Sequence, residues 1–493
     1  MSQIILFLPE IFFFTSVSLI FIFCITYSLS TILKFPNLNV IIIYLSIMCL
    51  IYSFFLFLNT SLFYTDFTIF YKSEGNILLS ELFIFFCIVI FIVSYSYNNR
   101  YNINFFEYNI FILISLGTLI VFLNVLNIIF IYILLELQNI LISILISIKR
   151  TNRYSIEASI KYFLLGSFSS LIFLYGFSLV YGSTGLLSLH DLSFFLSYFE
   201  LINNNLVFFA INISFIFILI GVLFKIYTAP FHFWLSDIYE GSPTSVLIYI
   251  STIQLLVMVF FFFKIYFYLF FDVLKLKNFI LSICSILTLI LGSLGALVQR
   301  KLKKLISYSA ITMNGFFLFS LLNNNIFLLE TSLMYLFVYV FTILLFFSLI
   351  LNISLNNKSL LKIYDLFNLY KYNKSISLFL AILFFSVSGL PPFIGFISKL
   401  FWLKSFFIEY NIFIIILVFI FLIVNFYYIR LIKNIYYLFD KKYNQIFYLN
   451  KVDYLPSIFF MLIQFLLFYF IFNSSILRNF IHICIIDFFI NVL

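Results

Sequence analysis

The chain has 493 residues, of which 65% are hydrophobic and only 9% charged. Its mean hydropathy of +1.20 implies more apolar surface than a soluble fold of this size buries, so its solvent is lipid. A soluble enzyme is excluded, and the net charge of +9 reads as membrane topology rather than nucleic-acid binding.

The 76 Phe and 35 Tyr, with few Gly and Pro, are the bias that an A+T-rich genome imposes and point to an organelle or a reduced genome. The N-terminus, "MSQIILFLPEIFFF", has neither the basic region of a secretory signal nor the Arg/Ser content of a transit peptide, and reads as a retained first span. A membrane-crossing helix needs roughly 20 apolar residues, and about fourteen runs meet that length. In chain order they centre near Ser18, Ser46, Val89, Leu119, Leu137, Phe173, Ile216, Gln254, Leu287, Gly315, Tyr339, Ser388, Val418 and Ile463. The stretch from Ile476 onward, with Arg478, His482 and Asp487, reads as an interfacial tail.

Loop charge alternates along this series. Loops after odd runs carry Lys34, Arg100, the Lys149–Lys161 cluster, Arg300–Lys304, Lys358–Lys374 and Lys441–Lys451. Loops after even runs carry acids or mixed charge, such as Asp66, Glu74, Asp191 and Glu330. That is the pattern of basic loops held on one side, and it puts both termini on the non-basic side. The loop holding Asp237 and Glu240 breaks the pattern, which suggests a separate task for it. The five cysteines lie far apart with no CxxC spacing and the three histidines are scattered, so no iron–sulfur, haem or zinc site is expected. The Gly292-x-x-Gly295 pair reads as a close helix-packing face rather than a nucleotide loop.

Three ionisable residues sit deep within runs: Glu136, Lys225 and Lys399. Such groups are costly in a membrane and usually face a bundle interior or a hydrated path, although the two lysines are long enough to reach the headgroups. Prolines stand beside both lysines: Pro230 follows Lys225, while Pro391 and Pro392 precede Lys399. Proline interrupts the helical ladder, and a broken helix at membrane depth must line protein or a cavity. Each break carries a Pro-Phe step, Pro230-Phe231 and Pro392-Phe393, about five spans apart, as inverted repeats of transporters would place it. His232, just past the first break, is either a proton carrier or an imidazole bonded to freed backbone.

The strings "LELQNI", "LFKIYTAPFHFWLSDIYEGSPTS", "LVQRKLKKLISYSAITMNGF" and "SVSGLPPFIGFISKLFW" resemble the chain 2 family of antiporter-like subunits of the proton-pumping NADH–quinone oxidoreductase, respiratory complex I, over roughly residues 105 to 405. The resemblance implies an all-α polytopic membrane fold of about 14 transmembrane helices with two inverted five-helix repeats, broken near Pro230 and Pro391. It implies an N-terminal three-helix segment over 1–104, repeats over 105–272 and 273–440, and a last helix with its tail over 441–493. Glu136, Lys225 and Lys399 match the family's proton-path residues, and Lys161 matches a further lysine that reads equally well as a topological charge. The family's eighth-helix lysine is replaced by Leu255. Gln254 precedes it, and Lys264 lies nine residues, roughly 13 Å, further along a helix.

The implied function is proton translocation coupled to quinone reduction in partner subunits. This chain would bind no cofactor, with NADH, FMN, iron–sulfur clusters and ubiquinone held elsewhere in the complex. Expected partners are the other membrane-arm subunits, including chain 4 and small membrane chains, accessory subunits, and lipids such as cardiolipin, in the mitochondrial inner membrane or, alternatively, a bacterial plasma membrane. An autonomous cation/proton antiporter and a non-pumping membrane-arm spacer are the rival readings. In the proton-pumping reading, desolvation favours a neutral Lys225 and Glu136 opposes it. A charge pair about 4 Å apart gains roughly 4 kcal/mol at an effective dielectric near 20, so approach and separation would bind and release a proton, with Lys399 as the relay beyond.

Overall fold

The computed structural model describes residues 7–29, 38–60, 65–66, 70–101, 103, 106–199, 205–270, 274–322, 325–355, 358–359, 362–367, 369–407, 413–437, 447–449 and 474–490. These residues are almost wholly helical, as the sequence requires. In a solvent that offers backbone groups no hydrogen bonds, a helix satisfies them within its own segment. The expected run near Ile463 and, apart from residues 447–449, the Lys441–Lys451 loop lie outside the described residues. Every other run centre falls within a helix.

Contacts divide the chain into two compact units. The first comprises Met1–Lys225, Ile253–Leu274 and Ile483–Leu493. It contains α1 (Leu8–Leu29), α2 (Leu38–Asn59), α3 (Glu74–Arg100), α4 (Phe106–Asn124), α5 (Ile128–Ile146), α6 (Arg153–Thr184), the short α7 (Leu189–Phe199) and α8 (Asn205–Lys225). A two-stranded hairpin, β1 (Thr65–Asp66) with β2 (Tyr71–Lys72), precedes α3. Helices α6 and α8 pack with almost no gap. A Cβ on Gly176 would stand 2.9 Å from Ser214 O, and one on Gly221 would stand 3.1 Å from Ser169 O.

The second unit comprises Ile226–Thr252 and Lys275–His482. After the short α9 (Phe233–Gly241), α10 (Thr244–Leu269) gives its first residues to this unit and the rest to the other. A wider π-helical turn interrupts α10 at Ile250–Gln254. Then follow α11 (Leu274–Val298), α12 (Leu302–Ser320), α13 (Ile326–Asn352), α14 (Lys374–Ser388), α15 (Ile394–Phe407), α16 (Phe413–Tyr436) and α17 (Ser474–Ile490), the last counted in this unit as far as His482. Ten described helices are long and apolar enough to span a bilayer, and α14 and Phe209–Lys225 are shorter apolar helices. The tail expected at the interface forms α17, whose His482 pairs with Glu330 of α13.

The Gly292/Gly295 pair is a packing face. A Cβ on Gly292 would come within 2.9 Å of Thr312 N, and one on Gly295 within 2.5 Å of the Tyr308 ring. The acidic loop that broke the charge pattern also has its explanation. Glu240 pairs with Lys301, and with Lys304 at 2.8 Å, while Lys304 also reaches Asp237 at 3.4 Å. The acids are matched by the basic cluster that opens α12. Burial, which alone would raise the Glu240 pKa, is outweighed by hydrogen bonds and charge from the two lysines, which hold it below the usual carboxylate value.

Candidate functional site

Helix α5 carries Glu136 near its centre, and the side chain is half-buried. One turn on, Asn139 is buried on the same face. Its Nδ2 donates to Glu136 Oε2 at 3.5 Å, and its Oδ1 accepts from Lys225 Nζ at 2.6 Å. Lys225, the last residue of α8, also donates to Gly166 O at 3.3 Å. Ser170, one turn beyond Gly166 on α6, donates to the other oxygen of Glu136. The expected meeting of Glu136 and Lys225 is therefore indirect, since an amide stands between carboxylate and ammonium and bonds both. Gly166 makes the room: a Cβ there would stand 3.0 Å from Asn139 Oδ1.

Lys225 ends its helix because the chain turns through Ile226–His232 before α9 begins. Tyr227 sits in the left-handed region at φ 63°, a conformation that costs a bulky side chain of order 1–3 kcal/mol and persists only where its surroundings impose it. Its ring packs edge-on against Trp234 at 4.9 Å. The freed carbonyl of Ile226 accepts from Asn314 Nδ2 at 2.5 Å. Pro230 is part of this turn, and Phe231 N–H closes it on Thr228 O at 2.7 Å. His232 is buried and makes no side-chain capping bond to α9.

The second break has the same local design. Helix α14 stops at Ser388, and Gly389 caps it in the left-handed conformation at φ 75°. Pro391 and Pro392 follow, and Phe393 N–H bonds Leu390 O at 3.1 Å, the same three-residue closure as at Phe231. Lys399 of α15 reaches back to donate to Ser388 O at 2.6 Å, between the rings of Tyr335 and Phe421 at 5.7 and 5.1 Å. The ammonium thus sits at the negative end of a broken helix and against two ring faces. Gly395 is required by contact: a Cβ there would collide with the backbone oxygen of Ser386.

The accessory residues separate. Gln254 ends the π-helical turn of α10 and donates to Tyr162 OH at 2.7 Å, so a neutral contact precedes the buried Leu255. Lys161 lies beside Tyr162 in sequence but pairs with Glu157 at 2.6 Å on the exposed face of α6. Lys264 is buried, with its ammonium on Leu123 O at 2.9 Å and on Val125 O. Sequence reasoning passed over Asn139, Ser170 and Gly166. The available signal was spacing, since Asn139 stands three residues after Glu136 inside the string "LELQNI".

The model of the NADH:quinone oxidoreductase/Mrp antiporter transmembrane family matches residues 125–424. The chain belongs to this family. Subunit N of the NADH-quinone oxidoreductase of Wolbachia sp. subsp. Brugia malayi is 35% identical over 357 residues, 71% of this chain and 72% of that one. NADH-ubiquinone oxidoreductase chain 2 of Marchantia polymorpha is 32% identical over 332 residues, 66% of this chain and 67% of its own length. The fold matches a chain of respiratory complex I from Thermus thermophilus with TM-score 0.73 and 20% identity, covering 94% of this chain and 98% of that one. It also matches a chain of the Mrp complex from Dietzia with TM-score 0.79 and 12% identity, covering 97% of each. The family reading of the motifs and the all-helical polytopic class are both borne out. The two helix breaks and the Glu136–Asn139–Lys225 line, buried at Asn139 and Lys225, are polar interruptions among its apolar helices.

Proposed function

We propose that this chain is a proton-translocating membrane-arm subunit of NADH:quinone oxidoreductase, driven by quinone reduction in partner subunits. The observation that carries the proposal is the line Glu136–Asn139–Lys225, an acid and a base held on two sides of one amide within apolar helices. An amide neither gives up nor gains a proton readily, so Asn139 is a positioning residue that sets how strongly the two charges feel each other. At an effective dielectric near 20, a pair about 8 Å apart gains roughly 2 kcal/mol, against roughly 4 kcal/mol at about 4 Å. Withdrawal of the amide would let the pair close. The difference of roughly 2 kcal/mol changes the proton occupancy of Lys225 about 30-fold.

In this reading Lys225 is the switched site, Glu136 its modulator and Lys399 the relay of the second unit. Gln254 and His232 are accessory, and Lys161, already paired at the surface, acts as a topological charge. The chain itself binds no redox cofactor: NADH, FMN, iron–sulfur clusters and ubiquinone belong to the partner subunits. Neighbouring membrane-arm subunits such as chain 4, small membrane chains, accessory subunits and cardiolipin-type lipids would complete its surroundings. The A+T-driven composition favours a mitochondrially encoded chain of the inner membrane.

The test is proton-to-electron stoichiometry in the assembled complex. Lys225→Ala and Glu136→Gln are each expected to lower it. Unchanged stoichiometry in both would leave a non-pumping spacer as the reading. Purification of the chain free of NADH-oxidising subunits, with cation/proton exchange in vesicles, would favour an autonomous antiporter.

A further inference from the structure

A second buried polar cluster lies in the first unit, apart from the Glu136–Lys225 line. Glu10, in the first turn of α1, pairs with Lys72 of β2 at 2.7 Å, and both side chains are nearly excluded from solvent, at 9% and 1% exposure. Asn124, the last residue of α4, donates from Nδ2 to Glu10 Oε1 at 3.5 Å. The carbonyls on either side of Asn124, those of Leu123 and Val125, hold the ammonium of Lys264. The hairpin is fixed to the same place by a bridge from Phe70 to Val125. Four chain segments thus meet around Leu123–Val125. By loop charge, all four converge at the non-basic end of the helices: the start of the first run, the loops after the second and fourth, and the end of the eighth.

The two cations are held differently. Burial lowers the Lys72 pKa, against the opposing pull of the Glu10 carboxylate, and the rings of Phe7 and Phe57 lie 5.6 and 5.3 Å from its ammonium. Lys264 is held by two neutral carbonyls and, among the described residues, meets no carboxylate within ion-pair distance. Asn124 Oδ1 is buried without a hydrogen-bond partner among the described residues, a spare acceptor at the junction of the two groups. A purely structural cluster would be served by an apolar packing of similar volume, because a buried ion pair seldom stabilises more than that.

We propose that Lys264, Asn124 and the Glu10–Lys72 pair form a proton outlet at the non-basic end of the first unit. The inference rests on the pumping role proposed above. In the step, the Lys264 ammonium loses one proton and becomes an amine, and water carries that proton to the Glu10 carboxylate, which becomes a carboxyl. With Lys72 charged before and after the step, the net charge of the cluster is unchanged by the transfer. Release from Glu10 to water at that face and reprotonation of Lys264 from within the unit complete the cycle. Lys264 thereby supplies on α10 the ionisable group that Leu255 does not.

Arginine separates relay from scaffold, because it keeps the charge and the donors that cap α4 but does not deprotonate. Proton-to-electron stoichiometry is measured in assembled complexes carrying Lys264→Arg, Glu10→Gln or Lys225→Ala. The expected result is that Lys264→Arg and Glu10→Gln both lower the stoichiometry to the level of Lys225→Ala. If Lys225→Ala lowers it while the other two pump as the parent does, the outlet is overturned and the pumping role stands. If all three pump as the parent, both ideas fall. If Lys264→Arg and Glu10→Gln each abolish assembly, or if Lys264→Arg alone does so while Glu10→Gln pumps normally, the cluster is a helix cap and the outlet is likewise overturned.

Discussion

Asn139 bonds both Glu136 and Lys225, and this is the scale at which substitutions should speak most clearly. Asn139→Asp would place a carboxylate directly against Lys225 Nζ, now 2.6 Å from the amide oxygen. A close carboxylate favours the charged lysine, so the variant should trap the proton and lower the stoichiometry at least as far as Glu136→Gln does. Gly166→Ala is gentler. Its Cβ would press on Asn139 Oδ1 at 3.0 Å, and the expected outcome is an assembled complex with a partial loss of pumping per NADH oxidised. The three deep charges were legible in the sequence because an ionisable residue inside an apolar run has few benign explanations. Asn139 and Ser170 were not, because small polar residues are frequent along these helices and only packing shows which of them face a charge. The carbonyl pair under Lys264 comes from the end of α4 and the residue after it, distant in sequence, which no local pattern could reveal.

At the scale of helices, the sequence marked the two breaks through their prolines, and the structure adds what closes them. Both use a Phe N–H bonded to the carbonyl three residues earlier, a likeness that the Pro-Phe steps hinted at. The π-helical turn at Ile250–Gln254 had no comparable signal, since its residues suit an ordinary helix. Gly395→Ala tests the second break. Its Cβ would collide with Ser386 O, a backbone atom that cannot swing aside. The expected cost is above about 4 kcal/mol, in the range of the severest single substitutions, read as loss of assembled complex on native gels. Gly182→Ala is the control, because its Cβ meets nothing within 4 Å. It should be neutral or stabilise its helix by up to about 1 kcal/mol.

For the molecule as a whole, the clamp of Glu240 with Lys301 and Lys304 predicts a pH dependence. The Glu240 pKa is depressed below the ordinary 4.5, so its contribution is complete above that value and disappears as pH falls through the depressed one. For Lys304, burial, which alone lowers the pKa, is outweighed by Glu240 and Asp237, which raise it above 10.5. Its contribution is complete below 10.5 and is lost as pH rises through the raised value. Thermal unfolding of the detergent-solubilised complex should therefore lose stability at both extremes. Glu240→Gln should flatten both limbs, and added salt should shrink the effect because the groups are partly exposed. Span order and charge alternation are legible at this scale, because both follow from where apolar runs stop and which charges lie between them. The acidic exception is not, because its explanation needs α9 and the start of α12 brought side by side.

The glycine contacts have a consequence for how such a gene changes. Glycine codons begin with two guanines, so the nucleotide bias that fills this chain with phenylalanine and tyrosine works against them, and only 13 glycines stand in it. Gly176, Gly221, Gly292, Gly295 and Gly395 occupy places where one added carbon would meet a neighbour at about van der Waals overlap or worse. Mutational drift toward A and T is free to rewrite lipid-facing positions, where one large apolar side chain substitutes for another. It stalls at these five, where the partner helix leaves no volume for any side chain.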